Sequence, residues 1–443
     1  MPKALTGMPR ILPWFLGLLP LLAHAEPAYL SIQGSNTIGA ALAPALARGL
    51  LHAQGATAIE TLSGPAPNEL QVLARDLTGR PVRIDIAAHG SSTGFLALLN
   101  ADADLAASSR PIGDLEATQL QALGDLRGAA SEQIIGLDGV AVIVHPGNPL
   151  LQLSIAQLGQ IFSGKISRWE QLGITGGPIH LYARDDRSGT YETFKALVLA
   201  PQQAVLAAPA QRFESAEELA ERVKGDRQAI GFSSLATVHG AKVLAVAEGQ
   251  ALAMLPTPAL VASEDYPLSR RLYLYLPGAS TRPQAQAFAE FAQSQAGQAI
   301  VAEQGFISQR VQALPTSMQS GMPPRYRALA SEARRLTVNF RFQEGSASLD
   351  NKAQRDVRRV TDYLRQHGKL DEQVVLVGFG DPKEIPGRAA LLSRLRAMAV
   401  RRELSREGVA VREVTGFGDD LPVAGNDHEQ GRQRNRRVEV WVY

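Results

Sequence analysis

From residue 29 to about 310, short apolar runs alternate with stretches of helical periodicity, the order in which strands and flanking helices follow one another in an α/β domain. Three passages share one local plan: an apolar strand, a turn rich in Gly, Ser and Thr, then a helix. The pattern predicts a strand at 29–32, the turn Gly34-Ser35-Asn36-Thr37-Ile38 and a helix at 39–51. It repeats as a strand at 82–87, the turn Gly90-Ser91-Ser92-Thr93-Gly94 and a helix at 95–100. The third copy is a strand at 180–183, the string Arg184-Asp185-Asp186-Arg187-Ser188-Gly189-Thr190 and a helix at 191–199. After residue 310 the habit changes. Pro315, Gly321, Pro323 and Pro324 stand among Ser, Gln and Met, which reads as a linker over 311–335 leading into a short helix. Beyond it the pattern predicts strands at 336–342, 374–379 and 437–442 and helices at 350–366 and 388–407, a second α/β unit over 336–443.

Ahead of these units, Lys3 and Arg10 precede an apolar run over 11–22, and Ala23-His24-Ala25 supplies the small-x-small pattern of a signal-peptidase site. Residues 1–25 are therefore expected to be an export signal, with the mature chain starting at Glu26. The run is shorter than the roughly 20 residues of a spanning helix, and no later segment is apolar enough to span, so no transmembrane segment is expected after cleavage. The 443 residues have room for about three domains of ordinary size. With 45 Lys and Arg against 43 Asp and Glu, recognition by charge must be local, and nucleic acid is not an expected partner. There are no cysteines, which removes disulfides, thiolate metal sites and cysteine nucleophiles together.

The three turns are where chemistry is concentrated. A helix start leaves N–H groups unpaired and carries partial positive charge, so a small oxyanion gains hydrogen bonds and favourable electrostatics there. Arg184 adds a planar fork that matches two oxygens of one tetrahedral anion. The competing reading is local, because Ser, Thr and Asn before a helix are ordinary N-caps. Gly90-Ser91-Ser92-Thr93-Gly94 also fits the G-x-S-x-G elbow of serine hydrolases, with acidic residues and His239 following in order. That reading leaves the other two turns unexplained, and neither a metal-ligand cluster nor an activated nucleophile for a phosphatase is evident. His145, His180 and His239 read as packing or turn residues, and no cofactor is expected.

Residues 29–310 resemble the PstS-like phosphate-binding proteins of ABC importers, within the type II periplasmic binding proteins. The resemblance rests on the three turns, on Ala107-Ser108-Ser109-Arg110-Pro111, on Ala229-Ile230-Gly231-Phe232-Ser233-Ser234-Leu235, and on Gly297-Gln298 with Gly305-Phe306-Ile307. It implies a two-lobed α/β fold over 26–310 that traps phosphate between lobes, with hinge crossings near 140–145 and 229–233. The implied ligand shell is Ser35, Asn36, Thr37, Ile38, Ser92, Ser109, Arg184, Asp186, Ser188, Gly189 and Thr190, with backbone N–H donors at Ile38, Gly189 and Thr190. In that shell Asp186 accepts the hydrogen of HPO₄²⁻ and rejects fully ionised sulfate. Ser109 stands where some members of the family have Asp, which alters the charge balance.

In the second unit, Gly378-Phe379-Gly380-Asp381 follows a strand and Leu392-Ser393-Arg394-Leu395-Arg396-Ala397 lies on a helix, where Leu392 and Arg396 share a face. A carboxylate and a guanidinium together suit a zwitterion, although such a pair by itself is commonly a surface salt bridge. These residues, with Val338-Asn339-Phe340-Arg341-Phe342, Gly416-Phe417-Gly418, Pro422, Asn426, Gly431-Arg432 and Asn435-Arg436-Arg437-Val438, resemble the OmpA-like peptidoglycan-binding domain, a small α/β sandwich. The resemblance implies that Asp381 and Arg396 hold the diaminopimelate of the stem peptide, with Phe342 and Leu392 as pocket walls. Gln343, Gly380 and Ala389 depart from the family pattern. Arg432, Arg434, Arg436 and Arg437 are read as a solvated face with pairing inside the domain.

The expected protein is thus a periplasmic receptor for phosphate, tethered noncovalently to peptidoglycan near the outer membrane, serving capture, uptake or sensing with an ABC permease and catalysing nothing. The alternatives are a structural wall-associated protein with a vestigial anion site, or a serine hydrolase or phosphatase.

Overall fold

The structure is a computed structural model describing residues 29–278, 282–316, 321–343, 348–383, 385 and 387–443. The expected export signal at 1–25 lies outside the described residues.

The strand Leu30–Gly34 alternates buried and half-buried positions and sits between parallel neighbours Pro81–Ala87 and Leu105–Ser108. It lies in one sheet path that continues through Ser269–Tyr275 and Glu132–Val144 to Ala229–Ser234 and His180–Arg184. Two helix-covered cores divide this path. The first collects Leu30, Ile32, Leu46, Ile84, Leu105, Phe288 and their neighbours. The second collects Val142, Leu158, Phe162, Trp169, Phe194 and Phe232 with theirs. Each such side chain, fully buried, contributes on the order of 1.5–3 kcal/mol. These are two lobes.

Glu132–Val144 joins the lobes. Its early residues pair antiparallel with Ser269–Tyr275 and its late residues with Ala229–Ser234. Being central in the path, it is almost continuously buried. Between the pairs Ile134↔Tyr273 and Gly136↔Leu272 the register shifts by one residue, so Ile135 is a bulge. The crossings are therefore this strand and Ser269–Tyr275. Ala229–Ser234, expected near a crossing, lies inside the second lobe, because its partners are the far end of Glu132–Val144 and His180–Arg184.

The carboxy-terminal unit is a five-stranded sheet in the order Ala313–Leu314, Arg334–Phe340, Val438–Val442, Asp371–Gly378, Ala410–Gly416. Helices Asn351–Gln366 and Arg388–Arg406 cover one face. Asp350 caps the first of these, accepting from the Ala353 N–H at 2.7 Å. The short helix Pro324–Glu332 covers the other face, where Tyr326 packs edge-on against Phe379, Phe417 and Trp441. Much of the segment read as a linker is thus built into this module, since Ala313–Leu314 pairs with Leu336 and Arg335. The strand Ala410–Gly416 and the helix Glu429–Asn435 carry too little apolar periodicity to be read in advance.

Candidate functional site

The three turns converge where the lobes meet. Ser35 opens a one-turn helix, Asn36–Gly39, separate from the following Leu42–Ala53. Gly90 precedes the helix Ser91–Leu99 and adopts φ +116°; a Cβ there would lie 2.2 Å from the Arg187 carbonyl of the other lobe. Ser188 precedes Gly189–Phe194, and a Cβ on Gly189 would meet the Ser91 and Ser109 hydroxyls at 2.3 Å. Both glycines let the lobes close to near backbone contact.

Inside this seam Ser35, Asn36, Thr37, Ser91, Ser109, Arg184, Ser188 and Thr190 are buried. Thr37 Oγ1 and Thr190 Oγ1 lie 3.3 Å apart across the cleft. Arg184 Nη2 donates to Asn36 Oδ1 at 3.2 Å and to the Glu214 carbonyl at 2.5 Å, and Nε donates to the Phe213 carbonyl at 3.2 Å. Every one of these partners is neutral. Burial pulls the Arg184 guanidinium down to about 10, with the charge of Arg270 acting in the same direction, so it remains a cation at neutral pH. Its Nη1 and the Ser35 hydroxyl are buried without a hydrogen-bond partner. The carboxylates of Asp185, Glu217 and Glu214 favour its charge through space without bonding to it, which leaves a buried N–H that an anion can take up.

Two residues that the motifs do not reveal complete the cluster. Arg270, on Ser269–Tyr275, donates through Nη1 to Thr190 Oγ1 at 2.8 Å and Ser109 Oγ at 3.3 Å, and through Nη2 to Thr37 Oγ1 at 3.3 Å. Its other side is fixed by Asp138, which accepts from Nε at 2.9 Å and Nη2 at 2.6 Å. Asp138 is itself held by Ser234 Oγ and the Leu235 N–H. At the rim, His89 places its ring nitrogens 3.2 Å from Glu69 of its own lobe and from Glu214 of the other.

Several expected ligands are placed otherwise. Asp186 is not in the cluster: its side chain is 80% exposed and pairs with Arg212 at 2.7 Å. Arg212 also stacks on Tyr191 and donates to the Arg184 carbonyl, which fixes it outside and draws Asp186 outward. The exclusion of sulfate assigned to Asp186 has no geometric basis here. Ser92 is half-buried and accepts from Arg110 Nη2 at 3.0 Å, while its neighbour Ser91 is the serine inside, accepting from the Ser109 N–H at 3.1 Å. Ser188 Oγ caps its helix, taking the Thr190 and Tyr191 N–H groups. The Ile38 N–H is used within its own turn, on the Ser35 carbonyl. A guanidinium on Ser92 is a donor, not a general base, so the G-x-S-x-G elbow lacks an activated nucleophile. His145 accepts from the Gly147 N–H in a turn and His180 pairs with Asp226. Among the described residues no group of three or more His, Asp and Glu is placed to hold a metal, and no helix is long and apolar enough to cross a membrane.

In the carboxy-terminal module the strand and helix pack as their residues foretell: a Cβ on Gly378 would lie 2.0 Å from the Ser393 carbonyl. Asp381 is buried and accepts from Arg436 at 2.9 and 3.1 Å and from Lys383 at 2.6 Å. Burial opposes its ionisation, yet these two cations hold the carboxyl at about 2. Arg396 approaches the same place. Its Nη1 is buried without a partner, 3.4 Å from where a Gly380 Cβ would stand, and burial with the charge of Arg436 lowers its pKa. Leu392 is half-buried one turn earlier, whereas Phe342 packs at the edge of the helix–sheet core. The arginine cluster pairs inside the module, as read, except for Arg434, and it is less a solvated face than a set of ion pairs. Arg432 pairs with Glu429, Arg436 with Asp381 and Glu429, Arg437 with Glu439, and Arg434 with Glu248 of the second lobe.

Two lobes closed over a buried cationic seam define a solute-binding protein. Residues 39–296 match the PBP superfamily domain and residues 341–436 the OmpA family. The phosphate-binding protein PstS of Pseudomonas aeruginosa is 30% identical over 244 residues, which cover 51% of this chain and 74% of that protein. Protein SphX of Synechococcus elongatus is 25% identical over 295 residues, covering 63% and 82%. A putative phosphate ABC transporter substrate-binding protein from Clostridium perfringens, solved with phosphate bound, is 25% identical with a TM-score of 0.49, covering 63% of this chain and 98% of that one. The chain belongs to the PstS family of the PBP superfamily and carries an OmpA-family domain behind it.

Proposed function

We propose that this protein is a periplasmic receptor for inorganic phosphate, held noncovalently to peptidoglycan by its carboxy-terminal module. The observation that carries the reading is Arg184: a buried guanidinium with neutral partners and an unused Nη1, beside the unused Ser35 hydroxyl and the hydroxyls of Thr37, Ser109 and Thr190. A tetrahedral dianion would supply the missing acceptors, and phosphate is the ligand in the name of the Pseudomonas aeruginosa relative. Wall attachment rests on Asp381 and Arg396, a carboxylate and a guanidinium within reach of each other's charge that suit the two charged ends of diaminopimelate. Delivery of phosphate to an ABC permease is the role this assigns to the lobes.

Calorimetry on the ligand-stripped chain tests the reading: phosphate should bind with micromolar or tighter affinity, and absence of heat with both phosphate and sulfate would refute it. One observation favours a second reading. Arg270 already satisfies Thr37, Ser109 and Thr190, as it would in a wall protein whose cleft is filled by its own side chain. That protein would be retained by peptidoglycan sacculi and bind no anion.

A further inference from the structure

The carboxy-terminal module does not hang from the lobes; it is seated across both of them. On the second lobe, Asp265 is buried and accepts from Arg335 Nη2 at 2.7 Å and Asn339 Nδ2 at 2.9 Å. Nearby, Arg434 donates to Glu248 at 2.5 Å and to the Pro267 carbonyl at 3.0 Å. On the first lobe, Arg355 donates to the carbonyls of Ala129 at 2.6 Å and Glu132 at 3.2 Å and to Gln133 Oε1 at 2.8 Å. Asn351, a turn earlier on the same helix, donates to the Arg127 carbonyl at 2.9 Å.

Between these two footholds lies the hinge strand. Arg270 and Arg271 are consecutive on Ser269–Tyr275 and so point to opposite faces. Arg270 reaches the hydroxyls of the anion seam. Arg271 reaches Glu264 at 2.7 Å and Asp350 at 2.8 Å. Asp350 is the cap of the helix that carries Asn351 and Arg355 to the first lobe. One strand thus touches the cleft on one side and the module on the other. A body bonded to both lobes and to the strand between them cannot keep all its contacts while the lobes rotate apart, because packed interfaces have discrete arrangements.

We propose that the carboxy-terminal module is a clamp over the hinge, which when seated favours the closed lobes, so that seating of the module and capture of the anion reinforce one another. The capture half of this rests on the phosphate reading above; the clamping of the lobes does not. Reciprocity is required: if the seated module raises anion affinity by some factor, the anion raises the stability of seating by the same factor. The Arg434–Arg437 stretch carries the coupling to the wall site, since Arg434 holds the second lobe and Arg436 holds Asp381.

The absence of native cysteines makes the test direct. Leu77 of the first lobe and Val205 of the second are exposed, so L77C and V205C accept spin labels whose separation reports lobe opening in the full-length mature chain. Two variants release one foothold each: Asn351→Ala with Arg355→Ala, whose lost bonds go mainly to carbonyls and a glutamine, and Arg434→Ala. Each, checked for folding by circular dichroism, should broaden the ligand-free distance distribution towards longer separations and weaken phosphate binding about tenfold, chiefly through faster release. In the unmodified chain, saturating phosphate should slow hydrogen exchange at Asn351 to Arg355. Unchanged distances in both folded variants overturn the clamp. If distances widen in the variants while the unmodified chain binds no phosphate, the clamp stands and the phosphate reading falls. If the chain binds phosphate but affinity, exchange and distances are all unmoved, the phosphate reading stands and the clamp falls.

Discussion

The two candidate sites are built from the same ingredients, carboxylates and guanidiniums, and they differ in what a ligand must displace. In the seam between the lobes, Arg184 bonds only to neutral groups and Asp138 is committed to Arg270, so a guanidinium N–H is left for an anion. In the carboxy-terminal module, Asp381 is already satisfied by Arg436 and Lys383, and Arg396 beside it has an unused N–H. The difference teaches what each site must do to bind. The seam has only to admit an anion, while the pocket has to exchange one cation for another at Asp381. High affinity is expected of the first and moderate, displaceable affinity of the second.

The comparison breaks most readily at Arg184. Arg184→Ala removes the guanidinium with the unused N–H and should lower phosphate affinity by 100-fold or more, about 3 kcal/mol, measured by calorimetry; a loss below tenfold would mean that Arg270 alone recruits the anion. Acid should act on the other side of the comparison. Glu264, pressed against the module by Arg271, is held at about 2 from an ordinary 4.5 although burial opposes this, and Asp381 is held at about 2 from 3.8. Depressed carboxyls stabilise the folded state fully above their ordinary values and lose that contribution as pH falls towards their folded values. Between about pH 4 and pH 2 the module should therefore weaken through Asp381 and the second lobe's seat for it through Glu264, the latter by roughly 3 kcal/mol, while the guanidinium of Arg184 is untouched. Trp441 in the module and Trp169 in the second lobe are both buried, and fluorescence of Trp441→Phe and Trp169→Phe variants separates the two transitions. A Trp441 signal that does not change between pH 4 and pH 2 would contradict the weakening of the module.

A smaller effect is expected from Asp381→Ala, which strands Lys383 and leaves Arg436 with Glu429 alone. Thermal unfolding should show about 2 kcal/mol lost from the module, and retention on peptidoglycan sacculi should disappear. Smallest of all is Asp186→Asn. Its carboxylate sits outside on Arg212, so phosphate affinity should change by less than about twofold; a larger loss, or a new tolerance of sulfate confined to this variant, would return Asp186 to the cleft.

What the residue order made legible was local. The three strand–turn–helix passages announce themselves in short strings, and Ser35, Thr37, Ser109, Arg184 and Thr190 do come together. Asp381 and Arg396 were readable for a similar reason, because a helix face and a strand end fix directions over few residues. Arg270 and Asp138 were not readable, since they are 132 positions apart and meet only through the pairing of the two crossing strands. Asp186 misled because a turn specifies where a side chain begins but not which neighbour captures it; Arg212 arrives from a strand laid beside that of Arg184. The seating of the module rests on pairs such as Arg335 with Asp265 and Arg434 with Glu248, which no periodicity records.

Ile135 has a consequence of its own. It is one residue too many in the ladder where the lobes divide, and its side chain is wholly enclosed in the first lobe. A bulge bends its strand and steepens the local twist. Deleting Ile135 would leave the flanking pairs matched but flatten the sheet, changing the angle at which Asp138 and Arg270 are presented to Thr37 and Thr190. The aperture of the receptor is thus set by the length of one strand as much as by the side chains around it, and a one-codon deletion there would cost more than most substitutions inside the cleft.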